Sequence, residues 1–177
     1  LLFIAGDTRK IWIAVKISHL ATGVLQIKRI DPFFADLLRK IPKATDPSGH
    51  TQAQARLFSK PMESPDPNFL AEWENYVTPD IQHLFQEANE TVANDILGLE
   101  IEDGNGSSWS ISIPGNHLDQ WLNSLNQARL VLAAQNNFTE EDLDSISPQI
   151  IETERELHLL QIQFYGYLQE VILKLTA

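Results

Sequence analysis

The chain of 177 residues contains no cysteine. That excludes disulfide staples, thiol catalysis and cysteine-ligated zinc, and it agrees with a reducing compartment such as the cytoplasm. Basic residues are scarce, with 13 Lys and Arg against 24 Asp and Glu, for a net charge of −11. A nucleic-acid binder gathers cations to neutralise phosphates. The nearest approach to a basic patch here is Lys28, Arg29, Arg39, Lys40 and Lys43, interrupted by Asp31 and Asp36. Neither nucleic acid nor an anionic membrane surface is therefore an expected partner. No run of about 18 apolar residues occurs, so a transmembrane helix is not expected. The apolar start, Leu1 to Gly6, stops at Asp7 with no basic residue ahead of it and does not read as a signal peptide. A phosphate-cradling glycine loop and a Gly-x-Ser-x-Gly nucleophile elbow are both missing. No cofactor, no metal and no catalytic residue is expected.

What is present is the composition of a folded globule: 43% hydrophobic residues and four tryptophans, in a length that suits one domain over 1–177. The pattern predicts a mainly α fold with one or two small antiparallel β-hairpins. Strands and a helix occupy 1–41, an irregular connection 42–66, helices and a hairpin 67–115, and the C-terminal helices 116–177. Leu2 to Ala5 and Ile11 to Ile17 read as strands. A helix from Ser18, with Ile17, Leu20, Val24 and Ile27 at helical spacing, competes with a strand over Val24 to Ile30. Asp31-Pro32, Asp66-Pro67 and Thr78-Pro79 each look like a cap followed by proline in a first turn. A short helix over Ala53 to Ser59 is expected within the irregular connection. Leu99 and Ile101, then Trp109, Ile111 and Ile113, alternate with polar residues around Asp103-Gly104-Asn105-Gly106, a hairpin signal. That hairpin is expected to pair with the N-terminal strands. Thr139 and Asp142 are spaced as a capping box, and Ser147-Pro148 is expected to open the longest helix, to about Leu175.

The segment from His117 to Gln135 is the most informative. Leu118, Trp121, Leu122, Leu125, Ala128 and Leu132 recur at three- and four-residue intervals and share one face of a helix. Asn126 and Arg129 lie at the edge of that face, where alanine or leucine would pack more cheaply. An arginine beside an apolar face needs a carboxylate, carbonyls or a bound anion. One reading is an anion or peptide-carboxylate site. The simpler one is a polar lock to the C-terminal helix, with Gln169 or Glu170 as partner.

The run Ile113-Pro114, His117, Trp121-Leu122, Leu125-Asn126 and Ala128-Arg129-Leu130, with Thr139-Glu140-Glu141 and Tyr165-Gly166-Tyr167-Leu168-Gln169-Glu170, resembles a bacterial family known only as a domain of unknown function. Arg56-Leu57-Phe58 and the stretch from Asp66 to Val77 look similar too, so the likeness covers about 50 to 177. The resemblance implies no activity and carries no catalytic residues. In some bacteria the family's gene lies near that of the adaptor of the Clp protease, and some members carry a transcriptional-regulator label, which suits an acidic chain poorly.

Other polar groups have ordinary explanations. His83 with Glu87, and Glu154 with His158, are spaced i to i+4 and could form metal half-sites, but such pairs more often stabilise exposed helix faces. His117 beside Asp119 reads as helix-start chemistry. The stretch from Thr139 to Glu156 holds seven carboxylates and one arginine. It reads as a solvated face or as a docking surface for a basic partner. The expectation is a non-enzymatic cytoplasmic interaction or regulatory module with a protein partner, able to self-associate. The alternative is a small-molecule or anion-binding protein, or an enzyme without a linear motif, using a pocket near Asn126 and Arg129.

Overall fold

A computed structural model describes residues 15–19, 23–59, 66–145 and 151–176. The strand expected over Leu2 to Ala5 and most of that over Ile11 to Ile17 lie outside these residues. The fold is mostly helical with one small antiparallel sheet. The sheet joins β1 (Lys16–His19), β2 (Val24–Ile30), β3 (Glu100–Ile101) and β4 (Trp109–Pro114) in the order β1-β2-β4-β3.

The hairpin around Asp103 to Gly106 forms as expected and pairs with the N-terminal strands through β2 and β4. The strand alternative holds over Val24 to Ile30, and the helical spacing from Ile17 to Ile27 was coincidental. Leu25 and Ile27 alternate onto the core, opposite Ile113 and Ile111. Then the phase slips, and Ile30 is buried instead of residue 29. A bulge between Ile27 and Ile30 causes the slip. Arg29 sits there at φ 57°, in the left-handed region, and its backbone N–H donates to Glu102 Oε2 at 2.8 Å.

Asp31 caps α1 (Pro32–Arg39) by accepting from the Phe33 N–H at 2.8 Å. Two short helices follow, α2 (Ile41–Ala44) and α3 (Thr51–Leu57). Asp66 caps α4 (Pro67–Glu72) in the same way, at 2.9 Å to Asn68. The start expected at Thr78-Pro79 is not a start. Thr78 has helical angles, and a π turn over Trp73–Val77 carries α4 directly into α5 (Thr78–Ile96). Proline lacks an N–H and crowds the carbonyl four residues back; the wider turn, closed by the Thr78 N–H on the Trp73 carbonyl, takes up that misfit.

A 3-10 turn over Gly115–His117 leads into α6 (Leu118–Gln135). A side chain at Gly115 would collide with the carbonyl oxygen of Gly23, so the entry to α6 lies flush against the backbone just ahead of β2. The box of Thr139 and Asp142 caps α7 (Glu140–Asp144). The last helix, α8 (Glu154–Thr176), starts later than expected. Thr153 caps it, with Thr153 and Glu156 exchanging hydrogen bonds at 2.9 and 3.2 Å, while Ser147-Pro148 lies outside the described residues.

Helix α6 is the hub. It packs against α8 on one side and against α2, α3 and α5 on the others. One core joins the sheet, α1, α6 and α8 through Trp121, Phe164 and Tyr165. A second, smaller cluster joins Val131 and Ala134 of α6 to Ala53 and Leu57 of α3. The Tyr165 hydroxyl accepts from Gln161 Nε2 at 2.6 Å and donates to the Leu37 carbonyl at 2.7 Å, tying α8 to α1.

Candidate functional site

Arg129 leaves α6 on the side of α8. Its Nη1 donates to Gln169 Oε1 at 2.6 Å, and Gln169 Nε2 donates in turn to the Leu122 carbonyl at 3.1 Å. The guanidinium lies on Gly166, whose absent side chain leaves it room; a Cβ there would stand 3.4 Å from Nε and Cζ. Burial lowers the pKa of Arg129. Among the described residues its Nε has no hydrogen-bond partner and no carboxylate pairs with it.

Arg129 and Gln169 are thus brought together, and the other two expected members are not. Asn126 is exposed, on the solvent stripe with Asp119 and Asn123. Glu170 is exposed as well and pairs with Lys174 at 2.5 Å.

A second polar cluster centres on Asp95 near the end of α5. Its Oδ2 accepts from the indole N–H of Trp121 at 2.9 Å, and both carboxylate oxygens lie 3.0 Å from His117 Nδ1. Trp121 is fully buried and the Asp95 side chain is only 10% exposed. His117 therefore answers to Asp95 and not to Asp119, which is exposed. Sequence reasoning passed over Asp95. The available signal was its place three residues after Val92, in a row where Ala88, Val92 and Ile96 are all buried.

The third feature is a cleft of ≈ 380 Å³ between α2, α3, α5 and α6. Pro42, Pro47, Leu57, Phe58 and Phe85 make its apolar wall, with the two phenylalanine rings 6.0 Å apart. Thr45 and Asp46 at its edge are occupied internally: the Thr45 hydroxyl donates to the Pro42 carbonyl at 2.9 Å, and Asp46 accepts from the Ser48 N–H at 2.9 Å. Two lining groups are not. Gln127 is only 3% exposed, and its Nε2 has no partner among the described residues. Asn89 donates weakly to the Pro42 carbonyl at 3.4 Å, while its Oδ1 has no partner among the described residues. Both residues line the cleft, while these two atoms themselves are sealed from solvent.

His83 and His158 are in ordinary surroundings. His83 and Glu87 form an exposed pair at 3.5 Å. His158 Nδ1 lies 2.9 Å from Asn136 Oδ1, and burial lowers its pKa. Among the described residues no cluster of three metal-ligating side chains occurs, and no helix is long and apolar enough to cross a membrane.

Fold and clusters together define a mainly helical domain organised around one central helix, with a small antiparallel sheet closing one side of its core. The chain belongs to the family described as "Domain of unknown function (DUF2017)", which matches residues 17–176. No curated protein and no solved structure matches it.

Proposed function

We propose that the protein is a non-enzymatic cytoplasmic binding module that engages a protein partner through the cleft between α2, α3, α5 and α6. The observation that carries this reading is the concave apolar wall of Pro42, Pro47, Leu57, Phe58 and Phe85. The lining has the chemistry of recognition, apolar walls with a few placed polar groups, and its one carboxylate, Asp46, is tied to Ser48. The gene context attached to the family likeness supports a role beside regulated proteolysis.

The test is photocrosslinking in the native cell from Gln82 and Gln86, which line the cleft, and from Asn123, which is exposed on α6. A defined adduct from the two cleft positions and none from Asn123 is expected. Adducts equally strong from all three positions, or none from the cleft, overturn the reading.

A second reading uses Arg129, whose only polar partner among the described residues is the neutral Gln169. An anion or peptide carboxylate would supply the missing counter-charge. A melting temperature that rises with acetate or phosphate in the native protein, and fails to rise in Arg129→Ala, would favour it over the cleft.

A further inference from the structure

We infer that the first half of the α4–α5 helix is a docking face for a basic amphipathic helix of a partner protein. This goes beyond the cleft and does not rest on it. The π turn over Trp73–Val77 joins α4 and α5 into one continuous helix from Pro67 to Ile96. A single apolar stripe runs along it at intervals of three and four residues. The second half of the stripe, Ala88, Val92 and Ile96, is buried in the body of the fold. The first half, Phe69, Trp73, Val77, Ile81 and Leu84, is exposed or half-buried, and Leu84 is 60% exposed. No residue from Pro67 to Glu87 is buried, and no other described element packs closely on α4 or the π turn.

Residues four apart drift round an α-helix by about 40° per step. The wider π turn between Trp73 and Val77 takes back that drift, and the Phe69 and Trp73 rings lie 6.2 Å apart. The stripe therefore stays on one side of the helix through a stretch that the core does not use. Single apolar residues on a surface are ordinary, whereas a contiguous row of them marks an interaction face.

The occupant follows from charge. No lysine or arginine occurs between Lys60 and Arg129, while Glu72, Glu74, Asp80, Glu87 and Glu90 stand exposed along the helix. A second copy laid symmetrically on this face would set those carboxylates against themselves. An anionic membrane surface is repelled for the same reason. A partner helix with its own apolar stripe, flanked by Lys and Arg, satisfies both features: its stripe packs on the row from Phe69 to Leu84 and its cations meet the carboxylates. That row is roughly 22 Å long, about four turns of the partner.

The test is titration of the full chain, at physiological salt, with three labelled peptides. The first is two repeats of Leu-Lys-Lys-Leu-Leu-Lys-Leu, a basic helix with one apolar stripe. The second carries glutamate for every lysine. The third alternates leucine with lysine and has no helical stripe. The first should bind saturably, at least tenfold tighter than the other two. Phe69→Ser and Leu84→Ser, neither of which touches the lining of the cleft, should each weaken it about tenfold. Leu84→Met keeps the apolar surface and should bind as the native chain does, which separates lost contact from a folding defect. Leu97→Ser removes an apolar side chain 83% exposed at the other end of α5 and should change nothing.

Equal binding of the alternating peptide, an equal loss in Leu97→Ser, or no loss in Phe69→Ser and Leu84→Ser reduces the effect to general charge attraction and overturns the inference. A native chain that sediments as a dimer, with Leu84→Ser a monomer, makes a second copy the occupant and overturns it as well.

Discussion

Asp95 receives two donors that come from successive turns at the start of α6, the His117 ring and the Trp121 indole. Removing the carboxylate strands a fully buried indole N–H, so Asp95→Ala should destabilise the fold by about 2–3 kcal/mol. Asp95→Asn, which keeps an acceptor for Trp121, should cost less; chemical denaturation of the two variants gives the comparison. His158 makes a prediction about pH. Burial disfavours its protonation, with Lys40 adding to the effect and Glu154 opposing it. Its folded pKa is thus below the ordinary 6.5, and the unfolded chain takes up the proton first. The stability contributed by neutral His158 is complete above about pH 6.5 and is lost as the pH falls through that value towards the lowered one. Unfolding curves from pH 8 to 5 should show this loss in the native protein and a flatter profile in His158→Gln. Asp142 and Glu156 also have lowered pKa values, through hydrogen bonds from Thr139, and from Glu152 and Thr153, respectively. Their contributions are lost at lower pH, below the ordinary carboxylate values, so the two windows are separable.

Between elements, the contact of α6 with α8 turns on a glycine. Gly166 lies inside a long helix, where glycine is about 1 kcal/mol less favourable than alanine. Its place under the Arg129 guanidinium gives a reason for it, yet the approach of 3.4 Å is ordinary van der Waals distance. Gly166→Ala should therefore be tolerated and raise stability by about 0.5–1 kcal/mol. Gly166→Leu should push the guanidinium off Gln169 and destabilise by about 1–3 kcal/mol. Denaturant midpoints for both variants test the pair, and a loss of stability in Gly166→Ala would show that the helices are packed more tightly than the contact indicates. The elements were mostly legible in advance because their signals are local. Asp-Pro caps, the Asp103–Gly106 turn and the capping box at Thr139 each act within a few residues. Thr78-Pro79 misled because the same dipeptide that opens a helix can also be absorbed by a π turn, and the choice depends on the residues before it.

Across the whole molecule, what was hidden is what depends on how many neighbours an element has. The apolar stripe on α6 was plain, and Leu118, Trp121, Leu125, Ala128 and Leu132 are all buried. A stripe analysis assumes one buried face, and α6 is covered on several. Ser124, Gln127, Val131 and Ala134 form a second buried row, towards α3 and α5. Their small or polar side chains resemble a surface until the other helices are in place. The same assumption drew Asn126 inward, when it belongs to the narrow strip left to solvent. Arg129 and Gln169 could be paired from sequence because a charge beside an apolar face needs a partner and α8 was the long helix available. That Asn89 and Gln127 line one cleft could not be read, since each looks like an ordinary helix-surface amide until the helices are assembled.

The central pairing of the sheet also bears on how the chain reaches this state. Leu25 is matched to Ile113 and Ile27 to Ile111, on strands separated by all of α1 to α5. Closing so long a loop is entropically costly, and the rate of such pairing falls with the separation of the partners. Contacts within the α5–β3–β4–α6 segment span far shorter stretches. In refolding followed by pulsed hydrogen exchange, amides of α5 and α6 should gain protection before those of β2, and simultaneous protection would contradict this order. Until β2 arrives, β4 presents Ile111 and Ile113 along an unpaired edge. The nascent or refolding protein is then most prone to aggregate through a strand that the finished fold keeps in the middle of its sheet.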